Sequence, residues 1–322
     1  MSMKKAGLLV ALVGPAGVGK NQLMKYVMAH SPITQLPTAT TRAIREGEKE
    51  GREHFFVTRD EFLKMIADDQ MLEHQEVHRR FYGMVRQVVE DAFADGQPII
   101  ADIDIYGAMT IRQRYPQQTV SVFIQPPSIG SLIERMRTRG DRETEISKRL
   151  LRVPLELELA SNCDYVVIND EFQPAAQSLL DIVLTEIDGT AQRATSVRAV
   201  LAHAYEYRTR VVPMRGDQVL SCAGAFPTAV IGKEDQPYEK ALFALRSELG
   251  IVPNIDRLVH AELPHDKFVP PLSLDYALTP TGETVTFNYL YRLEDGVTLP
   301  PRWQWESLHQ QTNLDFVKGL AG

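Results

Sequence analysis

The sequence predicts an α/β protein in two parts, a parallel sheet covered by helices and then a second, α+β half. Three observations carry that expectation. Apolar runs of strand length alternate with helical patterns over the first part of the chain. A glycine-rich turn follows the first run and opens a helix. After the small, polar stretch "DGTAQRATS" the order changes to strands around one strong helix. A chain of 322 residues also exceeds what one compact domain ordinarily needs.

Each element has a local reason. Leu8–Val13 is a short, uninterrupted apolar run, as expected of a strand buried on both faces. Further strands are expected at Ile99–Ile103, Val120–Ile124 and Tyr165–Ile168, alternating with helices at Lys20–Met28, Gly107–Arg114, Ile129–Arg137 and Ala175–Ile187. The insertion from Leu36 to Gln97 is richer in charge and aromatics and should fold as a subdomain over the sheet's edge. The expected partition is 1–188 for the first domain, 189–210 for a linker and connecting helix, and 211–322 for the second domain. In the second, a helix is expected at Pro237–Leu249 and strands at Leu272–Leu278 and Thr284–Leu293.

Composition narrows the function classes. A net charge of −7 with 44% hydrophobic residues argues against a general affinity for nucleic acid or an anionic membrane. Cys163 and Cys222 have no metal-type spacing and form no disulfide framework, no apolar run is long enough to span a bilayer, and a cytoplasmic location is the expectation.

The stretch "GPAGVGK" permits a tight turn, with Gly14, Gly17, Val18 and Gly19 presenting backbone amides to a phosphate and Lys20 reaching the β- and γ-phosphates of ATP. Where that motif carries a serine or threonine hydroxyl, this chain has Asn21, whose carbonyl oxygen is a larger candidate contact for Mg2+. In "IIADIDI", Asp102 and Asp104 fall on alternate positions and should share a face at the strand's C-terminal end, with Asp102 the candidate for orienting the magnesium shell. In "TATTRAIREGEKEGREHFFV", Arg42 and Arg45 could fork a monophosphate, and Glu48 could orient one of them.

With "TTRAIREGE", "EFLKMI", "LEHQEV", "YGM", "ADID", "FIQPPS", "RMRTRG", "KRL" and "VVIND" in order, residues Leu8 to Val183 resemble the guanylate kinase family. The resemblance implies a P-loop nucleoside monophosphate kinase fold with monophosphate-binding and lid insertions, using ATP with Mg2+ and a purine monophosphate such as GMP or dGMP. It implies an acceptor-phosphate grip by Arg42, Arg45 and Tyr82, with His54 where the family has a second tyrosine. It implies a base site at Thr38, Glu73, Asp104 and Met84. Met84 departs from a serine or threonine, and a thioether donates no hydrogen bond. Arg135, Arg139 and Arg149 take the places of the arginines that cover the transferring phosphoryl group, and Asn169 a place beside the adenine. Arg137, Arg142 and Arg152 are expected on a solvated basic face.

From Val211 the chain resembles a Nudix domain. "FPTAVIGKEDQPYEKALFALRSELGI" has the layout of a Nudix box, but Asp235, Phe243, Ala244 and Ser247 replace motif residues and Glu248 alone of the later carboxylates survives. The fold is expected without hydrolysis, as a base-binding or homodimerisation module, with Ala241, Leu242, Leu245 and Leu249 as the helix's core stripe. Trp303, Trp305 and Tyr289 are expected to pack in a core rather than stack on a base. Two other readings stay open: a regulatory protein that binds a nucleotide without turnover, favoured by Asn21, Met84 and His54, and a metal-dependent hydrolase that depends on Glu248.

Overall fold

Five parallel strands form the centre of the first part of the molecule, in a computed structural model that describes residues 7–77, 80–191, 193, 204–233, 235–259, 269–308 and 314. In chain order the elements are β1 (Leu8–Val13), α1 (Lys20–His30), β2 (Thr34–Gln35), β3 (Thr38–Thr40), β4 (His54–Phe56), α2 (Arg59–Ala67), β5 (Met71–Val77), β6 (Arg80–Val85) and α3 (Arg86–Asp95). They continue with β7 (Pro98–Asp102), α4 (Ile105–Arg114), β8 (Thr119–Gln125), α5 (Ile129–Thr138), α6 (Glu143–Leu150), α7 (Val153–Leu159), β9 (Tyr165–Ile168) and α8 (Phe172–Asp188). The C-terminal elements are β10 (Tyr205–Arg215), β11 (Gln218–Ser221), β12 (Thr228–Val230), α9 (Pro237–Leu249), β13 (Ser273–Thr279), β14 (Gly282–Arg292) and β15 (Gln304–Ser307).

The parallel sheet runs β2-β7-β1-β8-β9. Every residue of β1 is buried, which is why its sequence is apolar throughout instead of alternating. On one face Leu9, Ala11 and Val13 join Val89 and Phe93 of α3 and Ile111 of α4 in a single hydrophobic cluster. The alternate residues of β1 point to the opposite face, where α1 and α8 pack on each other.

The insertion folds as a second sheet, β4-β3-β6-β5. Ala39, Phe62, Met71 and Phe81 form its own small core under α2, whose start is fixed by a capping box between Thr58 and Glu61. Cross-strand partners share a sheet face, so the pairs Thr38–His54, Thr40–Tyr82, Gln75–Tyr82 and Glu73–Met84 place His54, Thr38, Tyr82, Met84 and Glu73 together on the other face.

The compact units do not follow the linear partition expected from the sequence. One comprises the described residues of Met1–Pro127 and Leu155–Val200, the other those of Ser128–Pro154 and Leu201–Gly322. The sheet of the second unit runs β13-β14-β10-β11-β15, with β12 paired to β10. Its β10–β14 ladder is parallel and its β13–β14 ladder antiparallel, so the sheet is mixed. Half of the expected linker and connecting helix, residues 192 and 194–203, lies outside the described residues. Residues 205–210, expected within it, belong to strand β10 instead, because Tyr207, Thr209 and Val211 are buried with a period of two.

Candidate active site

The phosphate loop leaves β1 at the centre of the parallel sheet. Gly14, Gly17 and Gly19 all have positive φ (139°, 84° and 98°). A β-carbon on Gly14 would lie 2.4 Å from the Ile124 carbonyl oxygen, so the glycine there answers both to conformation and to space. Gly19 stands at the N-cap of α1 without a side-chain cap, so no side chain competes with an anion for the amides at the helix start. Asn169 supports the loop from behind: its Nδ2 donates to the Val18 carbonyl oxygen at 2.6 Å, and it is buried.

Lys20 is the first residue of α1. Its Nζ donates to the carbonyl oxygens of Gly14 (2.5 Å) and Pro15 (3.3 Å) and lies 3.6 Å from an oxygen of Asp102. Asp102 pairs in register with Leu12 of β1, one residue before the loop's strand ends, which is why the two groups meet. Burial raises the pKa of Asp102 and Lys20 pulls it back, while a third of the side chain (33%) stays open to solvent. Asn21 is exposed in the first turn of α1. Asp104 differs from the expectation of two carboxylates on one strand face. β7 ends at Asp102, and Asp104 caps α4, its Oδ1 accepting from the Gly107 amide at 2.7 Å.

Two residues past β3, Arg42 is 4% exposed and forks the Glu48 carboxylate at 2.7 and 2.9 Å. The Glu48 hydrogen bonds raise the arginine's pKa, with Tyr82 adding to the effect, and the same fork holds Glu48 down at about 2. Arg45 is exposed, and its backbone amide closes on Glu48 at 2.8 Å. Thr38 and His54 share a 2.8 Å hydrogen bond, and burial together with the Arg42 cation lowers the histidine's pKa.

Glu73 is half-buried, and burial, reinforced by the Asp104 charge, pushes its pKa up to about 7. It lies against Gly107: a β-carbon there would come within 3.1 Å of Glu73 Oε2. Met84, its cross-strand neighbour, is fully buried in the same hydrophobic cluster as Leu36 and Leu72.

The three arginines expected over the phosphoryl group fall in the second unit. Arg135 is half-buried on α5, and Arg139 and Arg149 both bind the carboxylate of Asp141. Burial drives the Asp141 pKa up, but the two arginines together bring it below the usual range. Arg137 is exposed, as expected, and it also forks Glu143 at 2.7 and 3.0 Å and donates to the Leu274 carbonyl oxygen at 2.8 Å. In the Nudix-like box, Glu248 accepts from Arg302 at 2.5 Å, and the buried stripe of α9 runs through Ala244 while Leu242 is only half-buried. Tyr289 and Trp303 are core residues, and Trp305 carries the Arg215 guanidinium 4.6 Å from its ring centre. Sequence reasoning missed Asp141, Gly107 as the space-maker for Glu73, and the hold of Asn169 on the loop. Only Asp141, set among arginines in "RTRGDRE", carried a local signal.

A phosphate loop on the central strand of a five-stranded parallel sheet, with a separate small sheet inserted after the first helix, defines a P-loop phosphotransferase of the nucleoside monophosphate kinase fold. The family model described as Guanylate kinase matches residues 6–186. Guanylate kinases from Synechocystis sp. (39% identical over 55% of this chain and 93% of theirs) and Desulfitobacterium hafniense (41% over 56% and 90%) are similar to the same half. The chain belongs to the guanylate kinase family. A crystal structure of guanylate kinase from Anaplasma phagocytophilum is similar over 60% of this chain and 92% of that one, at 31% identity and a TM-score of 0.46. A NUDIX-family hydrolase from Clostridium perfringens is similar over 31% of this chain and 80% of that one, at 17% identity and a TM-score of 0.25, too slight a likeness to argue from.

Proposed function

We propose that the protein transfers the γ-phosphoryl group of ATP to a purine nucleoside monophosphate, GMP or dGMP, giving the diphosphate and ADP. The observation that supports this most is that the insertion gathers the guanidinium of Arg42, locked by Glu48, with Tyr82, and that its strand β5 brings Glu73 to Asp104. Arg42, Arg45 and Tyr82, with His54 nearby, bind the acceptor phosphate. Glu73, Asp104 and Thr38 bind the base, because guanine presents adjacent N–H donors that suit carboxylate acceptors.

The loop amides of Gly14 to Gly19 and Lys20 hold the donor's phosphates. No protein nucleophile is required, since transfer needs in-line positioning and neutralised charge. Arg135, Arg139 and Arg149 stabilise the equatorial charge, and Asn169 keeps the loop in shape. One partly exposed carboxylate at Asp102 and one amide oxygen at Asn21 fit a Mg2+ ion that keeps several waters and leans on nucleotide phosphates, not an all-protein cage. When bound, it would neutralise phosphate charge.

A coupled assay of ADP release across a panel of monophosphates tests the reading. Turnover with GMP or dGMP, lost on Lys20→Ala, is the expected result. Tight nucleotide binding by calorimetry with no turnover on any acceptor would replace it with the regulatory, nucleotide-binding reading, which the exposed Asn21 favours.

A further inference from the structure

The segment 128–154 carries Arg135, Arg139 and Arg149, yet much of what fastens it comes from strands of the C-terminal half. At the start of α5, Glu283 of β14 accepts from the Gly130 amide at 3.0 Å. The Glu283 side chain is 1% exposed, and its other oxygen, Oε1, is buried without a hydrogen-bond partner. A carboxylate so far from water is costly unless positive charge meets it, and the N-terminus of α5 supplies that. The ring of Tyr276 on β13 closes over the same turn so tightly that a β-carbon on Gly130 would lie within 2.3 Å of it.

The far end of α5 is tied as well. Arg137 donates to the Leu274 carbonyl oxygen (2.8 Å), and the Leu274 amide donates to Glu143 on α6 (3.3 Å). The end of α6 is held by the Tyr207 hydroxyl of β10, which donates to the Leu150 carbonyl oxygen at 2.9 Å and is buried with it.

We propose that Glu283, Arg137 and Tyr207 are positioning residues for phosphoryl transfer: the C-terminal half sets the placement of the segment that carries Arg135, Arg139 and Arg149. This rests on the kinase reading above. The C-terminal half thereby acquires a task that needs no catalytic carboxylate of its own. The arginines touch the reacting group, and the three residues named here act through them. The acceptor grip at Arg42 and Tyr82 and the phosphate loop lie in the other unit and keep their own supports.

Full-chain Tyr207→Phe and Glu283→Gln variants test this by steady-state kinetics with ATP and GMP, by the ratio of ATP hydrolysed to phosphate transferred, and by amide exchange. Tyr207→Phe removes one hydroxyl and keeps the ring, so it is the variant least prone to unfold. The expected result is a kcat lower by about threefold to tenfold, a KM for GMP within about twofold, and more ATP hydrolysed per transfer. The Gly130 amide should exchange faster in Glu283→Gln, as should the last amides of α6 in Tyr207→Phe. Folded variants with unchanged kcat and unchanged partition would overturn the proposal. If the wild-type chain phosphorylates no monophosphate, the kinase reading falls. Amide exchange then decides the fastening by itself: unchanged protection in both variants overturns it and faster exchange sustains it.

Discussion

Glu73 is the residue whose charge is most open to control. Its pKa of about 7 lies above the ordinary 4.5, so the folded chain binds its proton more tightly than the unfolded chain does. The stability it contributes is therefore full below about pH 4.5 and is lost as pH rises through about 7. Glu73→Gln should raise the thermal midpoint relative to wild type at pH 8 and leave it nearly unchanged at pH 5. Melting curves at the two pH values check this, and an equal shift at both would contradict it. If Glu73 binds the base as proposed, a carboxylate accepts guanine's N–H groups and a carboxylic acid does so poorly, so the wild-type KM for GMP should fall between pH 6 and pH 8. In Glu73→Gln it should be higher by about tenfold and flat with pH.

At the scale of the element, α4 has a position where helix stability opposes the base contact proposed for Glu73. Gly107 sits in its first turn, where alanine would gain up to about 1 kcal/mol of helix propensity. The added β-carbon, however, presses on the Glu73 carboxylate at 3.1 Å. Gly107→Ala is expected to keep stability to within about 1 kcal/mol by urea unfolding while raising the KM for GMP by about tenfold.

Much at this scale was legible in the sequence. The apolar run Leu8–Val13, the loop glycines and the helix at Pro237–Leu249 are local patterns with local causes, and all three form as expected. Asp104 was harder, because "ADID" reads as a strand with period two until the helix it caps is known to begin at Ile105. Met84 was harder still. Whether a strand residue faces a ligand or packs in a core depends on what covers that sheet face, and periodicity does not report it.

Over the whole molecule, the division into units was the least legible feature. Segment 128–154 opens on a helical pattern, Ile129–Arg137, that looks self-sufficient, but its partners Tyr207 and Glu283 lie 57 and 153 residues further on from the groups they hold. No local pattern encodes such a pairing. A chain ending at residue 200 would keep every motif of the kinase family, yet strip Gly130 of Glu283, Leu150 of Tyr207 and Arg137 of the Leu274 carbonyl oxygen. Limited proteolysis of that truncated chain is expected to cut first between residues 128 and 154, whereas the full chain should resist there under the same conditions. Equal resistance in both would mean the segment is held by something else.

Asp141 has a consequence of another kind. By sitting between Arg139 and Arg149 it plays the part of a resident guest, an anion already seated where, on the role proposed for these arginines, incoming ones would settle. Free phosphate or sulfate must evict it to gain a foothold, and only a partner that offers several charged oxygens at once competes well. Asp141→Asn should let inorganic tripolyphosphate bind about tenfold tighter by calorimetry and make turnover more sensitive to added sulfate, a loss of discrimination in exchange for grip.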